Sequence, residues 1–157
     1  MDTGQEKIRS LWIPLRSMNL LLPNMAVAEI SSYRVPEPLP ESDDMPEWIL
    51  GTVKWQDEDI PVISLEAVCG IRVPSNPVFS RLMIVNSVRQ DSKLKNYAIV
   101  TAGLPGLIQF GYDTPDEYSD FEEEGLHCMV RIGNEEAIIP DLDHLQDMLE
   151  QQLSQAA

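Results

Sequence analysis

The stretch Val53–Ser64, VKWQDEDIPVIS, decides how the rest of the chain is read. One apolar run ends at Trp55 and another restarts at Ile60, with Asp57, Glu58 and Asp59 in a row between them. A short polar connection between two β-forming runs is a hairpin signal. Three consecutive carboxylates also raise a catalytic or metal-binding reading. Successive strand residues point to opposite faces, so the three converge on one ion only if the turn curls. A calcium loop needs alternating ligands and a glycine, D-x-[DN]-x-[DN]-G, and that spacing is missing. The trio is therefore read as solvated at a hairpin tip, where "QDE" (56–58) connects the strands EWILGTVKW (47–55) and DIPVISL (59–65).

Outward from the hairpin the chain reads as short strands and turns. Toward the N-terminus, residues 8–15 and 18–23 are strands, the second stopped by Pro23. NMAVAEI (24–30) is predicted to start with Asn24 as an N-cap and make one helical turn ending near Glu29. SSYRV (31–35) is a third strand. Residues 36–46 carry four prolines, which fix φ and lack the donor N–H, so an extended loop is expected.

Toward the C-terminus, EAVCGI (66–71) reads as a helical turn closed by Gly70. RVPSNPVF (72–79) reads as a linker, and 80–88 with 96–103 as a hairpin. LPGLIQFG (104–111) continues, and 112–125 is an acidic loop without periodicity. LHCMVRI and AIIPDL form a last hairpin across GNEE. From Asp141, leucines 142, 145, 149 and 153 recur at helical spacing, with Asp141 or Asp143 as the cap. Regular hairpin spacing predicts a mainly β fold. The absence of βαβ alternation argues against a parallel nucleotide-binding sheet.

The chain has 157 residues, 43% of them apolar, enough for one compact core. Its formal net charge of −15 repels nucleic-acid phosphates and anionic lipid. Two cysteines, Cys69 and Cys128, form neither a metal motif nor a disulfide framework. MDTGQEKIRS has no apolar run of signal-peptide length, and no later stretch is long enough to span a membrane. A soluble, cytoplasmic chain without nucleic-acid binding or membrane insertion is expected.

No residue is assigned a catalytic role, and no metal or cofactor is expected. The seven carboxylates between Asp113 and Glu124 lack ligand spacing. His127 and Cys128 are neighbours in a predicted strand and face opposite ways. Cys128 is read as an inert buried cysteine and His144 as a surface residue of the last helix. Gly-rich phosphate loops, nucleophile elbows and paired-histidine motifs are missing. The tryptophans say more. Strict alternation puts Trp48, Leu50, Thr52 and Lys54 on one face, and Ile49, Gly51, Val53 and Trp55 on the other. Both faces carry apolar bulk, so one is covered either within the protein or by a partner.

Three segments together resemble the CheW-like coupling domain of bacterial chemosensory arrays. LLLPNMAVAEI resembles that family's strand, proline and V-x-E-I segment. PEWILGTVKWQDEDIPVISL is similar to its central signature, in which glycine leads into a hairpin and then V-P-I-V-D-L. AIIPDLDHL resembles its closing strand and helix. The resemblance spans residues 8–153. It implies a single domain of two five-stranded β-barrels side by side with a short C-terminal helix. The first lobe would cover about 8–70 with 140–153 packing back, and the second about 78–139.

The resemblance further implies a non-enzymatic adaptor, cytoplasmic and associated with receptor arrays at the membrane. Its partners would be the regulatory domain of a CheA-type histidine kinase and the cytoplasmic tip of methyl-accepting chemoreceptors. By position its partner surface falls on Val27, Glu29, Ile30, Gly51 and Gln56. Val53 and Trp55, on the same alternation face as Gly51, join them as partner-binding candidates.

The chain departs from the family's Asn-Leu-Arg-Gly at Lys54, Trp55, Gln56 and Asp57, and from its following aspartate at Ser64. Replacing arginine by Gln56 removes a fixed positive fork from the receptor contact. Accessory members of chemosensory systems that control type IV pili and twitching motility, of the ChpC-like kind, are similarly divergent. A negative tip would favour a basic partner surface. Two other functions remain as alternatives: a small metal-dependent hydrolase using Asp57 and Asp59 or the acidic loop, and an acidic protein inhibitor.

Overall fold

The computed structural model describes residues 8–38, 46–68, 80–87, 92–110, 117–120, 126–132 and 135–156. The strands are β1 (Ile8–Pro14), β2 (Asn19–Pro23), β3 (Val27–Ser32), β4 (Ile49–Trp55), β5 (Glu58–Ile63), β6 (Ser80–Asn86), β7 (Asn96–Ala102), β8 (Gly106–Phe110), β9 (Glu117–Asp120), β10 (Leu126–Ile132) and β11 (Glu135–Pro140). A 3₁₀ turn at Asn24–Ala26 and two helices, α1 (Leu65–Val68) and α2 (Leu142–Ala156), complete the described elements. The mainly β reading with one C-terminal helix stands.

The strands form two sheets, ordered β8-β1-β2-β11-β10-β9 and β3-β6-β7-β5-β4. The sheets do not divide the chain near residue 78, where a lobe boundary was expected. One uses residues 27–102 and the other joins 8–23 to 106–140. The reason lies in four pairings between strands far apart in sequence: β1 with β8 and β3 with β6, antiparallel, and β2 with β11 and β5 with β7, parallel. Such pairings leave no local turn signal.

Each face of the five-stranded sheet is buried, which explains the unbroken apolar run Leu82–Val85 of β6. Met83, Val85, Tyr97 and Ile99 face a main core shared with Ile13, Leu20 and Leu22 of β1 and β2 and with Leu145 and Leu149 of α2. Val53, Ile60, Val62, Leu82, Ile84 and Ala98 form a second cluster on the other face. Tyr33, Leu50 and Trp55 pack against that cluster, while Trp48 packs against the main core. The apolar bulk on both faces of β4 is thus covered within the protein. Strict alternation fails because a register shift falls between Ile49 and Gly51.

α2 follows the leucine stripe. Leu145 and Leu149 are fully buried, and Leu142 and Leu153 pack partly buried beside them. Burying a leucine contributes about 1.5–3 kcal/mol. Asp141 caps the helix: its Oδ1 accepts the His144 N–H at 3.1 Å. Gln146, polar in the sequence, is nonetheless buried and donates from Nε2 to Ser87 Oγ at 2.7 Å.

Two further expectations are corrected. Asn24 does not cap a helical turn reaching Glu29. Pro23 occupies the cap position without a side-chain bond, the 3₁₀ turn ends at Ala26, and Val27–Ser32 is strand because it pairs with β6. The acidic stretch contains β9, held by pairing with β10 rather than by apolar periodicity. The closing Gly70, Cys69, the linker 72–79 and the rest of the acidic loop lie outside the described residues. His127 and Cys128 are consecutive residues of β10. Among the described residues no helix is long and apolar enough to cross a membrane.

Candidate partner-binding surface

The hairpin is tighter than "QDE". Trp55 pairs with Glu58, leaving Gln56 and Asp57 as a two-residue loop. Both have positive φ, 49° and 66°. A connection with two left-handed central residues matches the right-handed twist of the strands and is usually built with Asn-Gly. Here a glutamine and an aspartate take it, at the steric cost a Cβ brings to that region. Asp57, Glu58 and Asp59 are all exposed. Asp57 lies in the turn, while Glu58 and Asp59 are successive strand residues and face opposite ways. Among the described residues no three His, Cys, Asp or Glu side chains are grouped to hold a metal ion.

β4 is an edge strand, and the chain after β3 crosses to it. Thr52 stands opposite Pro61, which has no N–H to give, so Thr52 turns its own N–H and C=O outward. Glu37 takes both: Glu37 N–H donates to Thr52 O and Thr52 N–H donates to Glu37 O, each at 2.8 Å. Arg34 Nη1 donates to Lys54 O at 2.6 Å. This strap, residues 33–38, lies so close that a Cβ on Gly51 would be 2.2 Å from Glu37 O and 2.7 Å from its carbonyl carbon. Gly51 also has φ 139°. Its glycine is required by the fold.

An open groove of about 310 Å³ runs between strap and hairpin, lined by Arg34, Val35, Glu37, Thr52, Lys54 and Asp59 among others. Val35 is 74% exposed there. Sequence reading put residues 31–35 in a strand and gave neither Arg34 nor Val35 a role. Exposed valine between an arginine and a proline was the available signal.

The predicted site residues fall on two strips. Val27, Glu29 and Ile30 belong to β3, and Gly51, Val53 and Trp55 to β4 with Gln56 at its tip. These strands are opposite edges of one sheet, four strand spacings or roughly 19 Å apart along it. A register shift between Val27 and Glu29 leaves both Ala28 and Glu29 exposed. Val27 and Ile30 are half-buried against the main core. Gln56 is exposed and Trp55 half-buried. Val53 is buried and packs in the inner cluster, at the floor of the groove rather than on its rim.

Two supporting contacts were missed in the sequence. Glu66 of α1 is buried, and its Oε2 accepts the Ser17 N–H at 2.8 Å and the Ser17 hydroxyl. Its Oε1 accepts the Arg16 N–H at 3.3 Å. One carboxylate thereby holds the β1–β2 turn against the helix that follows β5. Ser64 Oγ accepts the Ala67 N–H at 3.2 Å and so caps the short helix that begins at Leu65.

This two-sheet body with its closing helix has known counterparts. The family described as CheW-like domain matches residues 9–150, and the chain belongs to that family. Among solved structures it is similar to the scaffolding protein TtCheW from Thermoanaerobacter tengcongensis. That match has a TM-score of 0.69 and 19% identity, and covers 87% of this chain and 90% of that one. No curated protein matches it in sequence.

Proposed function

We propose that the chain is a non-enzymatic adaptor that couples chemoreceptors to a CheA-type histidine kinase in a chemosensory array. The observation that carries this reading is membership of the CheW-like family over residues 9–150, across both sheets. The adaptor works in the cytoplasm, beside the membrane-bound array, and needs no cofactor. Its binding energy comes from surface complementarity rather than chemistry.

The kinase regulatory domain engages the outer edge of β3, where Glu29 is the exposed polar contact and Val27 and Ile30 support it from below. The receptor tip engages the β4–β5 hairpin, with Gln56 and the rim of Trp55 as contacts. Gly51 and Val53 act from inside, by admitting the strap and seating the strand. Gln56 brings no positive charge, and Asp57, Glu58 and Asp59 surround it with negative charge. The favoured partner surface is therefore basic. This divergence suits an accessory adaptor, such as one in a pilus-controlling system.

The test is a titration of the purified chain with the regulatory domain of a CheA-type kinase and, separately, with a receptor-tip fragment from the same genome. Glu29→Lys should weaken the first at unchanged melting temperature. Gln56→Arg should shift the second toward acidic receptor tips. Failure of both titrations with folded protein rejects the adaptor reading.

A further inference from the structure

We infer that the strap 33–38 guards the edge of β4, and that the segment it excludes is β4 of a second copy of this chain. β4 reads ILGTVKW, seven residues of high strand propensity with one charge. Such a segment on an open edge is a template for pairing with its own kind. Thr52 turns both of its backbone groups outward, and the strap takes both of them. Glu37 does so from between Pro36 and Pro38, residues that have no N–H. The strap therefore satisfies the edge at one residue without becoming a new edge itself. Arg34, bonded to Lys54 O, covers the next outward carbonyl along the strand.

The geometry also selects the intruder. Antiparallel pairing of two β4 strands about Thr52 would exchange the same two backbone bonds that Glu37 now makes. It would set Lys54 opposite Leu50 rather than opposite another lysine. It would also send the two acidic tips, Asp57–Asp59, to opposite ends of the pair. Parallel pairing would bring those tips side by side and is disfavoured by like charge. The net charge of −15 on each copy opposes any pairing, so salt should promote it.

The strap can be lifted by two unrelated substitutions. Arg34→Ala removes the guanidinium bond. Gly51→Ala places a methyl where Glu37 O now lies. Sedimentation velocity across a concentration and salt series should show more self-association than wild type for at least the variant that remains folded by circular dichroism. Adding Lys54→Pro should abolish that gain. Lys54 lies opposite Asp59 at a position where, as for Thr52, the N–H points outward, so proline removes an edge donor and no β4–β5 bond. By amide exchange, Thr52 should exchange roughly tenfold faster than in wild type when the variant is dilute, and regain protection when it is concentrated. Two results would overturn the inference. One is a folded Arg34→Ala protein with wild-type sedimentation and wild-type Thr52 exchange. The other is self-association that persists unchanged with Lys54→Pro.

Discussion

Glu37 and Gly51 are in backbone contact across the outer edge of β4: the glutamate carbonyl occupies the space a Cβ on residue 51 would need, at 2.2 Å. A glycine in the middle of a central signature invites reading as a partner contact. Here its first duty is internal, because the strap that covers the edge passes over it.

Replacing that glycine should therefore cost stability before it costs binding. Gly51→Asp must move the strap and also hold an L-residue at φ 139°. Backbone strain of this kind costs about 1–3 kcal/mol. The expected outcome is a clear drop in melting temperature, read by calorimetry. A Gly51→Asp protein as stable as wild type would return the residue to a pure contact role.

The hairpin loop should respond in the opposite direction. Asp57 sits at φ 66°, where glycine is at ease. Asp57→Gly should stabilise the fold by about 1 kcal/mol, since that is the scale of the Cβ penalty for a left-handed residue. Denaturant titration should show a higher midpoint. An unchanged or lower midpoint would mean that Asp57 contributes more than its backbone conformation costs.

Leu145 is completely buried between α2 and the main core. Leu145→Ala should destabilise by about 2–5 kcal/mol, and Leu145→Asp should unfold the protein or leave it loosely packed. Near-ultraviolet circular dichroism and thermal melting check this directly. A melting temperature that stays put for Leu145→Asp would contradict the packing.

Tyr97 sets the behaviour at high pH. Burial holds its phenol above the ordinary value of 10.0. The unfolded chain releases that proton near the ordinary value, and the folded chain only at higher pH. Between the two the folded state binds more protons, so stability falls as pH rises. Below the ordinary value the effect vanishes. The hydroxyl has no hydrogen-bond partner among the described residues. Tyr97→Phe should therefore flatten the alkaline loss and change stability at neutral pH by no more than about 1 kcal/mol. An alkaline profile identical to wild type would remove Tyr97 as its cause.

The parts of this fold that were legible in sequence are those with local causes. The hairpin declared itself through a charged gap between apolar runs, and α2 through its leucine spacing and Asp141. What stayed hidden was non-local. Nothing near Leu20 or Ile138 signals that they pair in parallel, and that pairing, with β1–β8, ties the N-terminal strands to the C-terminal ones. The bulge at Ile49–Gly51 sits at the glycine, the residue that marks such breaks in a strand, and brings Leu50 onto the covered face with Val53 and Trp55. Nothing local to Glu66 signals its burial, because its donors, Arg16 and Ser17, lie about fifty positions away. For the candidate site, the resemblance located both strips. Burial then separated Glu29 and Gln56, which reach solvent, from Val53, which does not.

The adaptor reading stands most directly on one binding measurement. Purified wild-type chain and Glu29→Lys would each be titrated by calorimetry into the regulatory domain of the CheA-type kinase encoded in the same genome. The account predicts saturable binding by wild type, at least about tenfold weaker binding by Glu29→Lys, which is about 1.4 kcal/mol, and equal melting temperatures for the two. No binding by folded wild type, or equal binding by both proteins, would contradict it.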